Sequence, residues 1–196
     1  ESYEIVRRRL FKDIPGDKFH HRDNTLKQFA KLDRENANDF PQGCADEDYR
    51  RKLEKAYPIH PELFDQLYTS WGSLEKFQRT RGVLRLMAQA IHELWMNADP
   101  SVMIMPGSVA VSSPRVEPEL LHYLDVSWQS IIAGDVDGTA STPYKVDQSA
   151  PNLNRYSATR RVARAIFMGT APTAQQQNTG LDDKQINLGV VQPGER

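Results

Sequence analysis

Thr80-Arg81-Gly82-Val83-Leu84-Arg85-Leu86-Met87-Ala88-Gln89-Ala90-Ile91-His92-Glu93-Leu94-Trp95-Met96-Asn97 decides the fold class. Val83, Leu84, Met87, Ala90, Ile91, Leu94 and Trp95 recur at three- and four-residue intervals and so fall on one side of an α-helix. The helix must end at Asp99-Pro100, because proline disfavours helical geometry in the residue before it. Upstream the same period repeats with its own punctuation. Pro61 opens a helix at the one position where its missing amide costs nothing, and Leu63, Phe64, Leu67 and Tyr68 form the apolar stripe that runs to Gly72. Residues 46–56 make a shorter, polar helix stopped at Tyr57-Pro58. Thr25-Leu26-Lys27-Gln28 has the form of a capping box ahead of Phe29, Ala30 and Leu32. The first hundred residues therefore read as a helical bundle packed through Phe29, Leu63, Phe64, Leu67, Leu84, Met87, Ile91 and Leu94.

After Pro100 the texture changes to short apolar runs separated by Gly, Pro and Ser, which predicts a mixed α/β region. Residues 102–105 read as a buried strand and 186–191 as a C-terminal strand. Helices are expected over 118–128, with Leu120, Leu121, Leu124 and Trp128 on one side, and over 157–168, with Val162, Ala163, Ile166 and Phe167 inward. Residues 134–153 and 170–180 read as loops. Charge supports a division near 100: residues 1–60 hold 13 basic and 12 acidic side chains, 101–150 hold 2 and 6, and 151–196 hold 6 and 3. The fold class expected is thus mostly α, a helical domain over 1–100 followed by a smaller mixed α/β region over 101–196.

The whole chain carries a net charge of −1 and 26% charged residues, so bulk electrostatics selects neither a nucleic acid nor a membrane surface. The longest apolar runs are far shorter than the roughly 20 residues a bilayer helix needs. A single cysteine, Cys44, excludes an internal disulfide framework and favours a reducing cytoplasm. The chain opens at Glu1 inside helix-like sequence, as a fragment of something larger would.

Most chemical motifs fail on their spacing. There is no Gly-rich phosphate loop of either common kind. His92-Glu93 begins like a zinc-protease helix, but Met96 stands where the second ligand must be. Asp135-Val136-Asp137-Gly138 begins like a calcium loop, yet its twelfth position is Val146 rather than Glu. No metal site is expected. Cys44, His60 and His20-His21 have no spacing that makes a nucleophile and base. Two arginine groups are better candidates, since a guanidinium keeps its charge and its planar fork matches phosphate oxygens. Arg79, Arg81 and Arg85 surround Gly82 at the start of the strongest helix, where the dipole also favours an anion. Arg160, Arg161 and Arg164 lie on a second helix, with Arg160 and Arg164 on one face. A solvated face explains either group as well, and Asp135, Asp137 or Asp147 could fold back on the second.

Tyr57-Pro58-Ile59-His60-Pro61-Glu62-Leu63 and Phe77-Gln78-Arg79-Thr80-Arg81-Gly82-Val83-Leu84-Arg85-Leu86 resemble strings of a family of large bacterial and archaeal AAA+-type P-loop ATPases. That family is described as a domain of unknown function and occurs beside DNA-modification or phage-defence genes. Arg7-Arg8-Arg9-Leu10-Phe11, Ala163-Arg164-Ala165-Ile166-Phe167 and Leu188-Gly189-Val190-Val191-Gln192-Pro193-Gly194 extend the resemblance along the chain. It implies a lid-like helical bundle followed by a winged-helix-like region, with the phosphate loop and magnesium carboxylate in an upstream core of the same polypeptide. Gly82-Val83-Leu84-Arg85 matches the Gly-x-x-Arg of the lid helix, whose sensor 2 arginine reaches the γ-phosphate. The resemblance therefore gives Arg85 a catalytic role and Arg79, Arg81, Gly82 and Arg85 a nucleotide-facing one. ATP and magnesium would belong to the longer protein, with no turnover by this chain alone. Arg160, Arg161 and Arg164 would contact DNA or an acidic protein, and a homo-oligomer is expected. The alternative function is an interaction module with no nucleotide role.

Overall fold

The structure, a computed structural model, describes residues 2–176 and 180–195. It is mostly helical: α1 (Ser2–Leu10), α2 (Phe19–Glu35), α3 (Glu47–Ala56), α4 (Pro61–Thr69), α5 (Thr80–Met96), α6 (Val116–Tyr123), α7 (Trp128–Ile131), α8 (Thr142–Ser149), α9 (Pro151–Asn154), α10 (Ala158–Thr170) and α11 (Asp183–Val190), joined by loops, short 3-10 turns and one π-helical turn at Ile132–Val136. Among the described residues there is no sheet, only one parallel bridge between Ile59 and Ile104.

One cluster of buried side chains runs across residue 100, from Val6, Leu63, Phe64 and Leu67 through Val83 and Met87 to Val111, Leu120, Phe167 and Met168. Trp71 sits at its centre, fully buried, with its indole N–H donated to the Met168 carbonyl at 2.9 Å and its ring 6.1 Å from Phe77 and 6.3 Å from Phe167. The core face of α5 is Val83, Leu86, Met87 and Ala90; Leu84, Ile91 and Leu94 are only half-buried. The far end of α5 leaves the core, so that Trp95 is 83% exposed.

The expected mixed α/β, winged-helix-like region is corrected to helices and turns. Met103 and Met105 are buried as a strand would bury them, but their backbone is satisfied without a sheet. The side-chain oxygen of Gln192 accepts from the amides of Val102 (2.9 Å) and Met103 (3.4 Å), and the Ser108 hydroxyl accepts from Met105 (3.0 Å). The expected C-terminal strand is helix α11. Asp182 accepts from the Gln185 amide at 2.8 Å while Gln185 accepts from the Asp182 amide at 3.0 Å, a complete capping box.

Three boundaries also move. Thr25 does not start a helix: α2 begins at Phe19, and the Thr25 hydroxyl bonds back to the His21 carbonyl at 3.0 Å. The helix expected over 118–128 begins at Val116, whose amide is accepted by Ser113 at 3.0 Å, and stops at Tyr123. Residues 134–153 are not a loop, because Ser141 caps α8 through the Tyr144 amide at 3.2 Å and Pro143 occupies its first turn. Part of the loop expected over 170–180 lies outside the described residues.

Candidate functional site

At the start of α5 the chain makes a tight entry. Gln78 and Arg79 both have positive φ, 56° and 48°, and this folds Phe77 under the first turn of the helix. A Cβ on Gly82 would lie 2.0 Å from the Phe77 carbonyl oxygen and 2.8 Å from its ring, so only glycine allows the approach. The first turn of α5 carries no acidic residue and no side-chain cap. Lys76, Gln78, Arg81, Arg85 and His122 ring a depression of about 200 Å³ above Gly82. Exposed Arg79 is not among its lining residues. The structure thus brings together Arg81, Gly82 and Arg85, and adds Lys76 and His122, which sequence spacing did not single out.

Arg85 is half exposed and forked onto Glu119 of α6, with Nε and Nη2 each 3.1 Å from a carboxylate oxygen. The same carboxylate accepts the Tyr123 hydroxyl. Burial first, and that acceptor second, push the Tyr123 phenol well above its ordinary range. Glu119 therefore holds Arg85 at the edge of the depression while leaving half of its surface in solvent.

The arginines of α10 are placed differently. Arg161 is 7% exposed; its Nη1 lies 2.6 Å from Glu195 and its Nη2 donates to the Val190 carbonyl at 2.7 Å. Arg164 donates to buried Asp137 at 2.6 Å. Arg160 lies 3.5 Å from fully buried Asp147, donates to Ser157 at 2.8 Å and stacks its guanidinium 5.0 Å from the Tyr144 ring centre. Asp147 also accepts the Thr159 and Arg160 amides at 2.8 and 3.1 Å, so it caps α10. Of the acids weighed from sequence, Asp137 and Asp147 do fold back; the third partner, Glu195, is 34 residues from Arg161 and gave no local signal.

The remaining candidates do not converge. Among the described residues no group of three His, Cys, Asp or Glu side chains could hold a metal ion. His60 is buried at the start of α4, its Nδ1 accepting the Glu62 amide at 3.2 Å. Burial lowers its pKa to about 3, so it is a neutral cap rather than a base. Cys44 is buried and its thiol is pushed up to about 11 by that burial and by nearby Asp33. Sequence reasoning missed Asp33, a mid-helix carboxylate that is 3% exposed.

No helix among the described residues is long and apolar enough to cross a membrane. No curated protein and no solved structure matches the chain. Residues 1–195 match the family described as DUF499 second domain, and the chain belongs to that family.

Proposed function

We propose that this chain is a helical accessory domain of an AAA+-type ATPase, and that the depression at the start of α5 receives the phosphate end of a nucleotide held by another domain. The observation that carries the reading is that Lys76, Arg81, Arg85 and His122 line one depression at the first turn of a 17-residue helix that has neither an acid nor a side-chain cap in that turn. Backbone amides and permanent charges that point at one place favour an anion. Phosphoryl transfer needs mostly positioning and charge stabilisation, which a lid-borne arginine can supply without a phosphate loop of its own. In this reading Glu119 holds Arg85 in reserve, and the phosphate replaces Glu119 as the partner of the fork. Magnesium and the phosphate cradle belong to the partner domain.

The test uses the chain with tripolyphosphate and with ATP, followed through the backbone amides of 80–86. Both ligands are expected to shift those amides at millimolar rather than micromolar concentration, because one or two charge-assisted contacts contribute only about 1.5–3 kcal/mol each. Arg85→Ala is expected to remove the response. Amides that stay still, or move equally in Arg85→Ala, defeat the nucleotide reading. In a longer protein with ATPase activity, Arg85→Ala should lower turnover.

The second reading is a protein-interaction module with no nucleotide role. It is favoured by Trp95 and Met96, which are 83% and 67% exposed at the opposite end of α5. The DNA contact expected through α10 has less to draw on, since Arg160, Arg161 and Arg164 are each already engaged by a carboxylate.

A further inference from the structure

A larger cavity shares no lining residue with the α5 depression. It lies between α2 and α3, is bordered at one end by Cys44, Ala45 and Asp46, and measures about 800 Å³, a size suited to a small-molecule ligand. Its walls combine Leu26, Ala30, Cys44 and Leu53 with charged side chains from both helices. Asp33 lines it from α2 and also lines the smaller cavity of about 350 Å³ behind the same segment.

Asp33 is the feature that does not fit a closed structure. It is 97% buried, its Oδ2 is shielded from solvent, and that oxygen has no hydrogen-bond partner. Among the described residues no lysine, arginine or histidine pairs with it, although the cleft contains cations. Arg22 is instead held by Asp23 at 2.8 Å, Arg50 by Glu47 at 2.6 Å, and Arg34 gives its Nε to the Ala30 carbonyl at 3.2 Å. A buried carboxylate without a partner is costly, and proteins ordinarily pair it or neutralise it. Here burial alone holds its carboxyl up at about 7. With Arg22 and Arg50 held by outer acids and Arg34 by a carbonyl, the inner carboxylate stays open to a partner arriving through the cleft.

We propose that the α2–α3 cleft binds a small organic cation, an alkyl chain ending in a guanidinium or primary ammonium, with Asp33 as its buried counter-ion. An N–H donor of the cation reaches the Asp33 carboxylate from the cleft. A metal ion is a poor occupant, because no third ligand of the required kind stands beside Asp33 among the described residues. The site is independent of the α5 depression, and failure of either reading leaves the other standing.

The test compares butylguanidinium with its neutral isostere butylurea by calorimetry at about pH 8, one unit above the Asp33 value, where the carboxylate is ionised. The cation is expected to bind about tenfold or more tightly than the urea, as one charge-assisted interaction implies. Because Cys44 is the chain's one cysteine and lines the same cleft, the cation should also slow its alkylation by iodoacetamide. Asp33→Asn keeps the shape and should abolish the preference for the cation. Ala30→Phe fills the cleft from a half-buried wall position and should abolish binding without touching Asp33, which keeps the test decisive should Asp33→Asn fold poorly. Equal affinity for cation and urea overturns the proposal. So does an absence of binding to about 10 mM, the regime of negligible affinity, or unchanged binding in Ala30→Phe.

Discussion

The two arginine groups look alike in sequence and have opposite fates. On α10, three guanidinium groups of one helix each meet a carboxylate supplied from elsewhere: Asp147, Glu195 and Asp137, all of them 20% or less exposed at the side chain. At the start of α5, Arg79 and Arg81 are exposed and only Arg85 has a carboxylate, through a half-exposed fork. The lesson is that an arginine cluster becomes structure or surface according to which acids the chain returns to it. Those acids lie between 13 and 34 residues away, beyond any local pattern.

If α10 is internal architecture, the most damaging change is Arg161→Ala. It strands the Val190 carbonyl and leaves Glu195 without its cation at a site where Arg161 is 7% exposed. A loss of about 3–5 kcal/mol is expected in chemical denaturation, the range for breaking a buried pair. Arg161→Lys should recover little, since one ammonium cannot span two acceptors that a planar fork bridges.

Arg164→Ala comes next, at about 2–4 kcal/mol, because it leaves Asp137 buried with only Ser112 as its partner. The double variant Arg164→Met/Asp137→Asn should be more stable than Arg164→Ala, as the uncompensated charge is gone. A double variant no better than the single one would show that Asp137 is satisfied without Arg164.

Gly82→Ala probes the other region. Its new methyl meets the Phe77 carbonyl, so the entry to α5 must shift, at a cost of about 1–3 kcal/mol. The same shift displaces Arg81 and Arg85, so the phosphate response of the α5 amides should weaken together with stability.

How much of this was legible follows the range of the forces involved. α4 and α5 were readable because proline punctuation and the 3–4 period act within a turn or two. The α11 capping box at Asp182 and Gln185 and the Ser141-Thr142-Pro143 start of α8 are equally local signals, set in a composition that favours strands and loops. Residues 102–105 could not have been settled locally, because the Val102 and Met103 amides are satisfied by Gln192, about ninety positions on, and the Ile104 amide by the Pro58 carbonyl. Of the candidate site, Gly82 and Arg85 stood in one helical string, and His122 came only with the packing of α6 on α5. Asp33 gave no signal, since its significance is the absence of a partner, which a sequence does not display.

The smallest expected stability effect is the most informative. Arg85→Ala removes a fork whose arginine is 49% exposed, and exposed pairs contribute about 1 kcal/mol or less. Denaturation should therefore place it well apart from Arg161→Ala, while the response of the 80–86 amides to tripolyphosphate disappears. Added salt should erode that response in the parent chain, because an exposed charge contact is screened over about 10 Å at 0.1 M ionic strength. Arg85→Lys keeps the charge but not the fork; an intermediate response is expected if a phosphate is bound through two donors, and a full response if charge alone matters. A cost equal to that of Arg161→Ala would erase the distinction between the two helices and make Arg85 another internal pair, held by Glu119 for the sake of α6.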